Sequence, residues 1–182
     1  MTPLEIIFHP LSVILSFRRA AMLWLLIFFC GTALFSQSDI DLALSEAERN
    51  ELIIREWFSE GWNNHRYEEL TPMFFSESWV DGSPIRGDSF DGHRGLIYLV
   101  GSYLQAFPDV KIEITHLLAS DEQVAVRFVA TGTHLGEIFG TKPTGKLITV
   151  SAMEIYEFYD GVVETTWTEM DLAGLLGQLS MD

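Results

Sequence analysis

The sequence predicts an α+β domain in which helices come first and a meandering antiparallel sheet follows. Three observations predict it. Apolar residues recur at helical spacing as far as Phe107, the period changes to two after Pro108, and Asp160-Gly161 is a two-residue hairpin turn between two strand-like runs. At 182 residues the chain suits one domain plus an appendage and can bury a core without staples.

The elements follow in order. Ser45-Glu46-Ala47-Glu48 fits a capping box, and Ile54, Trp57, Phe58 and Trp62 then recur on one helical face that stops near Asn63-Asn64. Tyr67, Leu70, Met73 and Phe74 mark a shorter second helix, with Pro72 tolerated only near an end. Gly82, Pro84, Gly87 and Gly92 mark a loop, and Leu96, Leu99, Val100, Tyr103 and Leu104 give a third helix. Val110, Ile112 and Ile114 alternate with polar residues as a half-buried strand. A turn at Ser120-Asp121-Glu122 leads into a strand over Val124 to Thr133, and a long connection runs from His134 to Gly145. Two further strands cover Leu147 to Tyr159 and Val162 to about Met170, before a short helix with Leu172, Leu175, Leu176 and Leu179.

Residues 1–38 form the appendage, with residues 39–182 as the domain. Only Glu5, Arg18 and Arg19 are charged in the appendage, a net +1, so the acidic excess behind the formal charge of -15 lies entirely on the domain. Arg18-Arg19 precede the uncharged stretch from Ala20 to Ser38, the layout of a signal peptide, with Ser36 and Ser38 at the −3 and −1 sites of a cut before Asp39. The stretch also approaches the ~20 residues of a membrane anchor. Both readings put the domain outside the cytoplasm, exported or anchored through residues 20–38, and confine membrane contact to that segment. Phe29 before Cys30 rules against lipidation there, and the single cysteine excludes a disulfide framework. So acidic a body repels phosphate backbones, which argues against nucleic acid as a partner.

The chain contains no phosphate-cradling glycine loop, His-Glu-x-x-His pair or Gly-x-Ser-x-Gly elbow, and its five histidines are scattered. No metal site or cofactor is expected. What remains is an aromatic-rich body with isolated polar residues on strands, suited to proton transfer in an apolar pocket. His134 ends a strand and is either a general acid–base or a loop-holding residue. Glu154 lies mid-strand: one register turns it into a cavity, the other exposes it or pairs it with Arg127. Asp171 caps the last helix or joins the site, and Asp81 is a further carboxylate beside the Gly82 loop. Trp79, Thr131, Met153, Trp167 and Thr168 are candidates for the lining of a pocket that takes a small apolar molecule.

Several stretches carry a resemblance. Trp62-Asn63 ends the first helix, and Ala106-Phe107-Pro108-Asp109 precedes the first long strand. Gly132-Thr133-His134-Leu135-Gly136-Glu137-Ile138-Phe139-Gly140 continues through Pro143-Thr144-Gly145-Lys146; Asp160-Gly161-Val162-Val163-Glu164, Trp167 and Leu175-Leu176-Gly177-Gln178-Leu179 follow. Over roughly residues 46 to 180 the chain resembles the SnoaL-like polyketide cyclase (ester cyclase) family. The resemblance implies the nuclear-transport-factor-2-like cone, a curved antiparallel sheet wrapped around three N-terminal helices, and frequently a homodimer joined through the sheets. It also implies aldol cyclisation without a cofactor, an acidic side chain taking a proton from carbon. His134 stands where the family's recurrent histidine is expected. The aspartate that directly follows the last-strand tryptophan in the cyclases is Thr168 here, and Asp81-Gly82 stand where relatives often carry His or Asn. Two functional expectations follow: acid–base chemistry on a small apolar carbonyl compound, as in a cyclase, isomerase or hydrolase, through His134 with Asp81, Glu154 or Asp171; or an exported pocket protein that binds such a molecule without changing it.

Overall fold

The computed structural model of the protein describes residues 44–84 and 90–180. The segment expected to direct export or anchoring, residues 1–38, lies outside the described residues, as does Gly87 of the expected loop.

Helix α1 (Glu46–Glu56) starts at the capping box: the Glu48 amide donates to Ser45 Oγ at 3.2 Å, and the Ser45 amide donates to Glu48 Oε2 at 2.8 Å. It buries Asn50 and Ile54, then widens into a π-helix, π1 (Trp57–Trp62), with the Asn63 amide reaching back to the Phe58 carbonyl at 3.1 Å. Gly61 permits this turn, because a Cβ there would lie 2.8 Å from the Trp57 ring. Trp57 and Phe58 are thereby both buried. Asn63 ties the helix end to the sheet, its side chain donating to the Ile112 carbonyl at 2.9 Å and accepting from the Ile112 amide at 2.7 Å. Helix α2 (Tyr67–Phe74) carries Pro72 near its end and buries Leu70 and Phe74. Met73, read from the sequence as part of its apolar face, is exposed instead, since the helix is too short to wrap more than one side around the core.

Strand β1 (Phe75–Asp81) follows at once. The sequence reading has no strand here, because Ser76-Glu77-Ser78 break the apolar alternation. Helix α3 (Gly92–Ala106) buries Leu96, Val100 and Leu104. Strands β2 (Lys111–Ala119), β3 (Gln123–Thr133), β4 (Leu147–Tyr159) and β5 (Val162–Met170) lead to helix α4 (Leu172–Ser180). The five strands form one sheet in the order β1-β5-β4-β3-β2. All neighbours are antiparallel except β1 with β5, so β1 adds a parallel edge to the expected meander.

Register sets which face is buried. On β3 the residues Val124, Val126, Phe128 and Ala130 turn inward, and their partners on β4 are Tyr156, Glu154, Ala152 and Val150, with Ile148 opposite Gly132. The Asp160-Gly161 turn has both residues at positive φ, as a type I′ hairpin requires. A bulge at Glu164 then shifts the β4–β5 register by one residue. Further irregularities interrupt β2 between Ile114 and His116 and β1 between Phe75 and Val80; such bulges bend strands and curl a sheet. The core lies between the inward sheet face and the helices, with Ile54, Trp57, Phe58, Leu70 and Val100 packed against Val124, Val126, Tyr156 and Val163.

Helix α4 closes one end. The Asp171 side chain caps it through the Gly174 amide at 2.8 Å, and Leu175 and Leu179 are buried. Strand β4 overhangs β5: its first paired residue on that side is Ala152, opposite Met170. Gln178 fills the overhang by accepting from the Thr149 amide at 2.9 Å and donating to the Thr149 carbonyl at 2.8 Å.

Candidate functional site

A cavity of about 580 Å³ opens between α3 and the inward face of the sheet. Phe128, Ala130, Ile148, Val150, Ala152 and Met170 make an apolar sheet wall, and Leu175 of α4 contributes to it. Leu99, Ser102 and Tyr103 line it from α3, Trp62 from π1, and Glu137 to Gly140 from the β3–β4 connection. Tyr98 and Glu137 are exposed at its rim. A volume of this size takes a molecule of one to a few fused rings.

Two carboxylates reach the cavity, Glu154 and Asp81. The inward parity of β4 turns Glu154 to the pocket side, which selects the first of the two registers left open by the sequence. It sits between Val126 on β3 and Thr168 on β5. The Tyr156 hydroxyl, two residues along the same face, donates to Glu154 Oε2, and Thr168 Oγ1 approaches Oε1 at 3.4 Å. Glu154 keeps some contact with the cavity although it lies deep in the protein. Burial pushes its pKa up to about 7, the hydrogen bonds from Tyr156 and Thr168 oppose the rise, and the charge of Asp81 adds to it. Asp81 ends β1; burial raises its pKa, the Ser83 amide at 3.1 Å opposes this, and Asp91 adds to the rise. Burial and the Glu154 charge raise the Tyr156 hydroxyl well above its usual value, so it stays a donor. A smaller cavity of about 40 Å³ adjoins the same two carboxylates and is walled by Trp57, Trp79 and Thr166.

The structure brings Asp81, Glu154 and Thr168 together on the cavity. It sets His134 apart. That residue is fully buried but off the cavity lining, tilted against the Phe107 ring at 5.4 Å between centroids. Its Nδ1 accepts from the Thr144 amide at 3.2 Å and lies 3.0 Å from Thr144 Oγ1, so the ring closes the base of the β3–β4 connection. Asp171 occupies the helix-capping position described above. Trp79 is buried and donates to Thr166 Oγ1 at 2.9 Å, facing the small cavity instead of the large one. Thr131, Met153 and Trp167 lie on the opposite sheet face, because their strand parity is odd relative to Ala130, Ala152 and Thr168. Met153 and Trp167 are substantially exposed there.

Tyr156 and Tyr103 are site residues that the sequence does not single out; Tyr103 is read there only as part of the apolar face of the third helix. The i, i+2 spacing of Glu154 and Tyr156 is the signal that would have found the first. Among the described residues, no group of three or more His, Cys, Asp or Glu side chains could hold a metal ion. Chemically, a carboxylate that is half-ionised near neutrality, in an apolar pocket beside fixed hydroxyl donors, can take a proton from carbon and return it.

A family model described as SnoaL-like polyketide cyclase matches residues 52–179. Solved structures share the fold. A candidate SnoaL-like polyketide cyclase from Jannaschia sp. CCS1 is 18% identical with a TM-score of 0.68, covering 74% of this chain and 93% of that one. AclR of Streptomyces galilaeus, described as a candidate hydroxylase, is 29% identical with a TM-score of 0.64, covering 74% and 97%. A candidate polyketide cyclase from Acidithiobacillus ferrooxidans is 26% identical with a TM-score of 0.63, covering 75% and 97%. No curated protein matches the chain.

Proposed function

The chain belongs to the SnoaL-like polyketide cyclase family, and from that premise we propose that it carries out cofactor-independent acid–base chemistry on a small apolar carbonyl compound, with Glu154 as the base. The observation that carries the reading is the cross-strand pair of Glu154 and Thr168. Thr168 occupies the position where the family resemblance places an aspartate, and Glu154 supplies a carboxylate to the same spot from the neighbouring strand. Glu154 removes a proton from the carbon next to the carbonyl. The C–H electron pair becomes the enolate double bond, and the carbonyl π pair moves onto oxygen. The enolate carbon then attacks a second carbonyl, as in an aldol cyclisation, or is reprotonated, as in an isomerisation. A pKa near 7 leaves an appreciable fraction of Glu154 ionised at neutral pH while keeping it basic enough to act.

The test is exchange of the α-protons of 2-tetralone, a bicyclic ketone of fitting size, in deuterated buffer followed by NMR. The protein is expected to accelerate exchange and Glu154→Gln to remove the acceleration. Tight binding of the ketone without exchange supports the alternative, a pocket protein that leaves its ligand unchanged.

Assembly and location belong to the same proposal. Met153, Ile155 and Trp167 form an exposed apolar strip on the outer sheet face, which fits a second copy of the chain in a homodimer. Sedimentation of the wild type and of Trp167→Lys tests this, with dissociation expected for the variant. Residues 1–38 direct export or anchor the domain, and mass spectrometry of the chain isolated from its host reads the N-terminus.

A further inference from the structure

On the helical side of the cavity one hydroxyl is left without a task by the chemistry above. Tyr103 lines the cavity from α3. Its ring is held edge-on by Trp62 at 6.2 Å and Phe139 at 6.1 Å between centroids, while no described residue makes a hydrogen bond to its hydroxyl. Other hydroxyls and donors close to the two carboxylates are committed. The hydroxyl of Tyr156 is committed to Glu154, the indole N–H of Trp79 to Thr166, and the hydroxyl of Ser102 to the Tyr98 carbonyl at 2.7 Å. A phenol fixed in an apolar pocket with an idle O–H is an oriented donor waiting for an acceptor.

We propose that Tyr103 is the oxyanion donor of this site, accepting no proton itself but donating a hydrogen bond to the substrate oxygen that becomes negative as Glu154 takes the proton from carbon. The inference rests on the reading of Glu154 as the base, and it sets a requirement on the substrate. The acidic carbon faces the sheet and the adjacent carbonyl oxygen faces α3, so the molecule lies across the cavity between the two walls. The donor has to survive the local field, and it does: burial and the charges of Glu154 and Asp81 hold the Tyr103 hydroxyl protonated well beyond neutral pH. A preformed donor of this kind is worth most when charge appears on its partner, because the water that would otherwise solvate the oxygen is excluded.

The experiment uses Glu154→Gln, which imitates the protonated base left after the transfer, and two probes of the same ring system. 2-Naphthol presents an enol-like hydroxyl oxygen, and naphthalene presents none. Fluorescence titration gives both affinities in Glu154→Gln and in Glu154→Gln with Tyr103→Phe; the phenylalanine preserves the ring contacts with Trp62 and Phe139. The expected result is a loss of about 3- to 10-fold in 2-naphthol affinity, the range for a hydrogen bond between neutral groups, with naphthalene changed by less than about twofold. Equal loss for both probes makes Tyr103 a packing residue and overturns the proposal, as does no loss for either. Failure of both probes to bind Glu154→Gln overturns the proposal together with the pocket reading. If Glu154→Gln keeps ketone exchange while the 2-naphthol selectivity depends on Tyr103, the base assignment falls and the oxyanion site stands.

Discussion

Replacing Glu154 with glutamine should make the protein more stable at high pH while removing its chemistry. The folded-state pKa of Glu154 is about 7 against an ordinary 4.5, so the native state holds this proton more tightly than the unfolded chain does. The contribution of the residue to stability is therefore full below pH 4.5, declines as pH rises, and is lost above pH 7. Each unit of displacement is worth about 1.4 kcal/mol, which makes the full swing about 3 kcal/mol. The substituted glutamine would keep an oxygen for the Tyr156 and Thr168 hydroxyls but has no charge to titrate, and any fixed cost of its amide is the same at every pH. Urea unfolding of both proteins at pH 4.5, 6, 7 and 8 isolates the term, because other titrating groups cancel in the difference. The stability difference should move in favour of the glutamine variant by about 3 kcal/mol between pH 4.5 and 8. Parallel profiles, within about 0.5 kcal/mol throughout, would refute the assignment of Glu154 as a carboxylate strained by burial.

Three further outcomes are expected. The rate of ketone exchange should rise with pH through a single ionisation near 7 and then level, measured by NMR across pH 5 to 9, as Glu154 becomes ionised. Asn63→Ala, which removes both bonds to the Ile112 backbone, should cost about 1–3 kcal/mol in denaturant unfolding. Asp171→Ala should cost about 1 kcal/mol through the lost cap, yet leave exchange per folded molecule unchanged if Asp171 is a capping residue only.

The sequence makes the strand alternation visible, and with it the fact that Glu154 shares a face with Ala152 and Tyr156. Which face that is becomes plain only from the long apolar partners across β3. The partner on β5 is beyond reach for a definite reason. The Asp160-Gly161 turn pairs Tyr159 with Val162, and an uninterrupted ladder from there would set Trp167 opposite Glu154. The bulge at Glu164 moves the register by one, sends Trp167 to the outer face and brings in Thr168. Nothing in the residues around Glu164 announces a bulge. Strand β1 is hidden by its polar middle, and its parallel pairing with β5 is what delivers Asp81 to the cavity. His134 is legible as a polar residue at a strand end, but its burial against Phe107 depends on a loop path that only the folded chain reveals.

The overhang of β4 beyond β5 has a bearing on how the protein behaves in a crowded solution. A bare strand edge is a template for another chain, and the Thr149 amide and carbonyl are the groups such a chain would seek. The Gln178 side chain occupies both in the manner of a strand one residue long. Colloidal behaviour and pocket architecture are thus joined at one residue: the segment it shields includes Ile148 and Val150, which also line the cavity. A chain that lost the α4 clasp would offer an apolar ribbon and an open edge together, the combination from which intermolecular sheets grow.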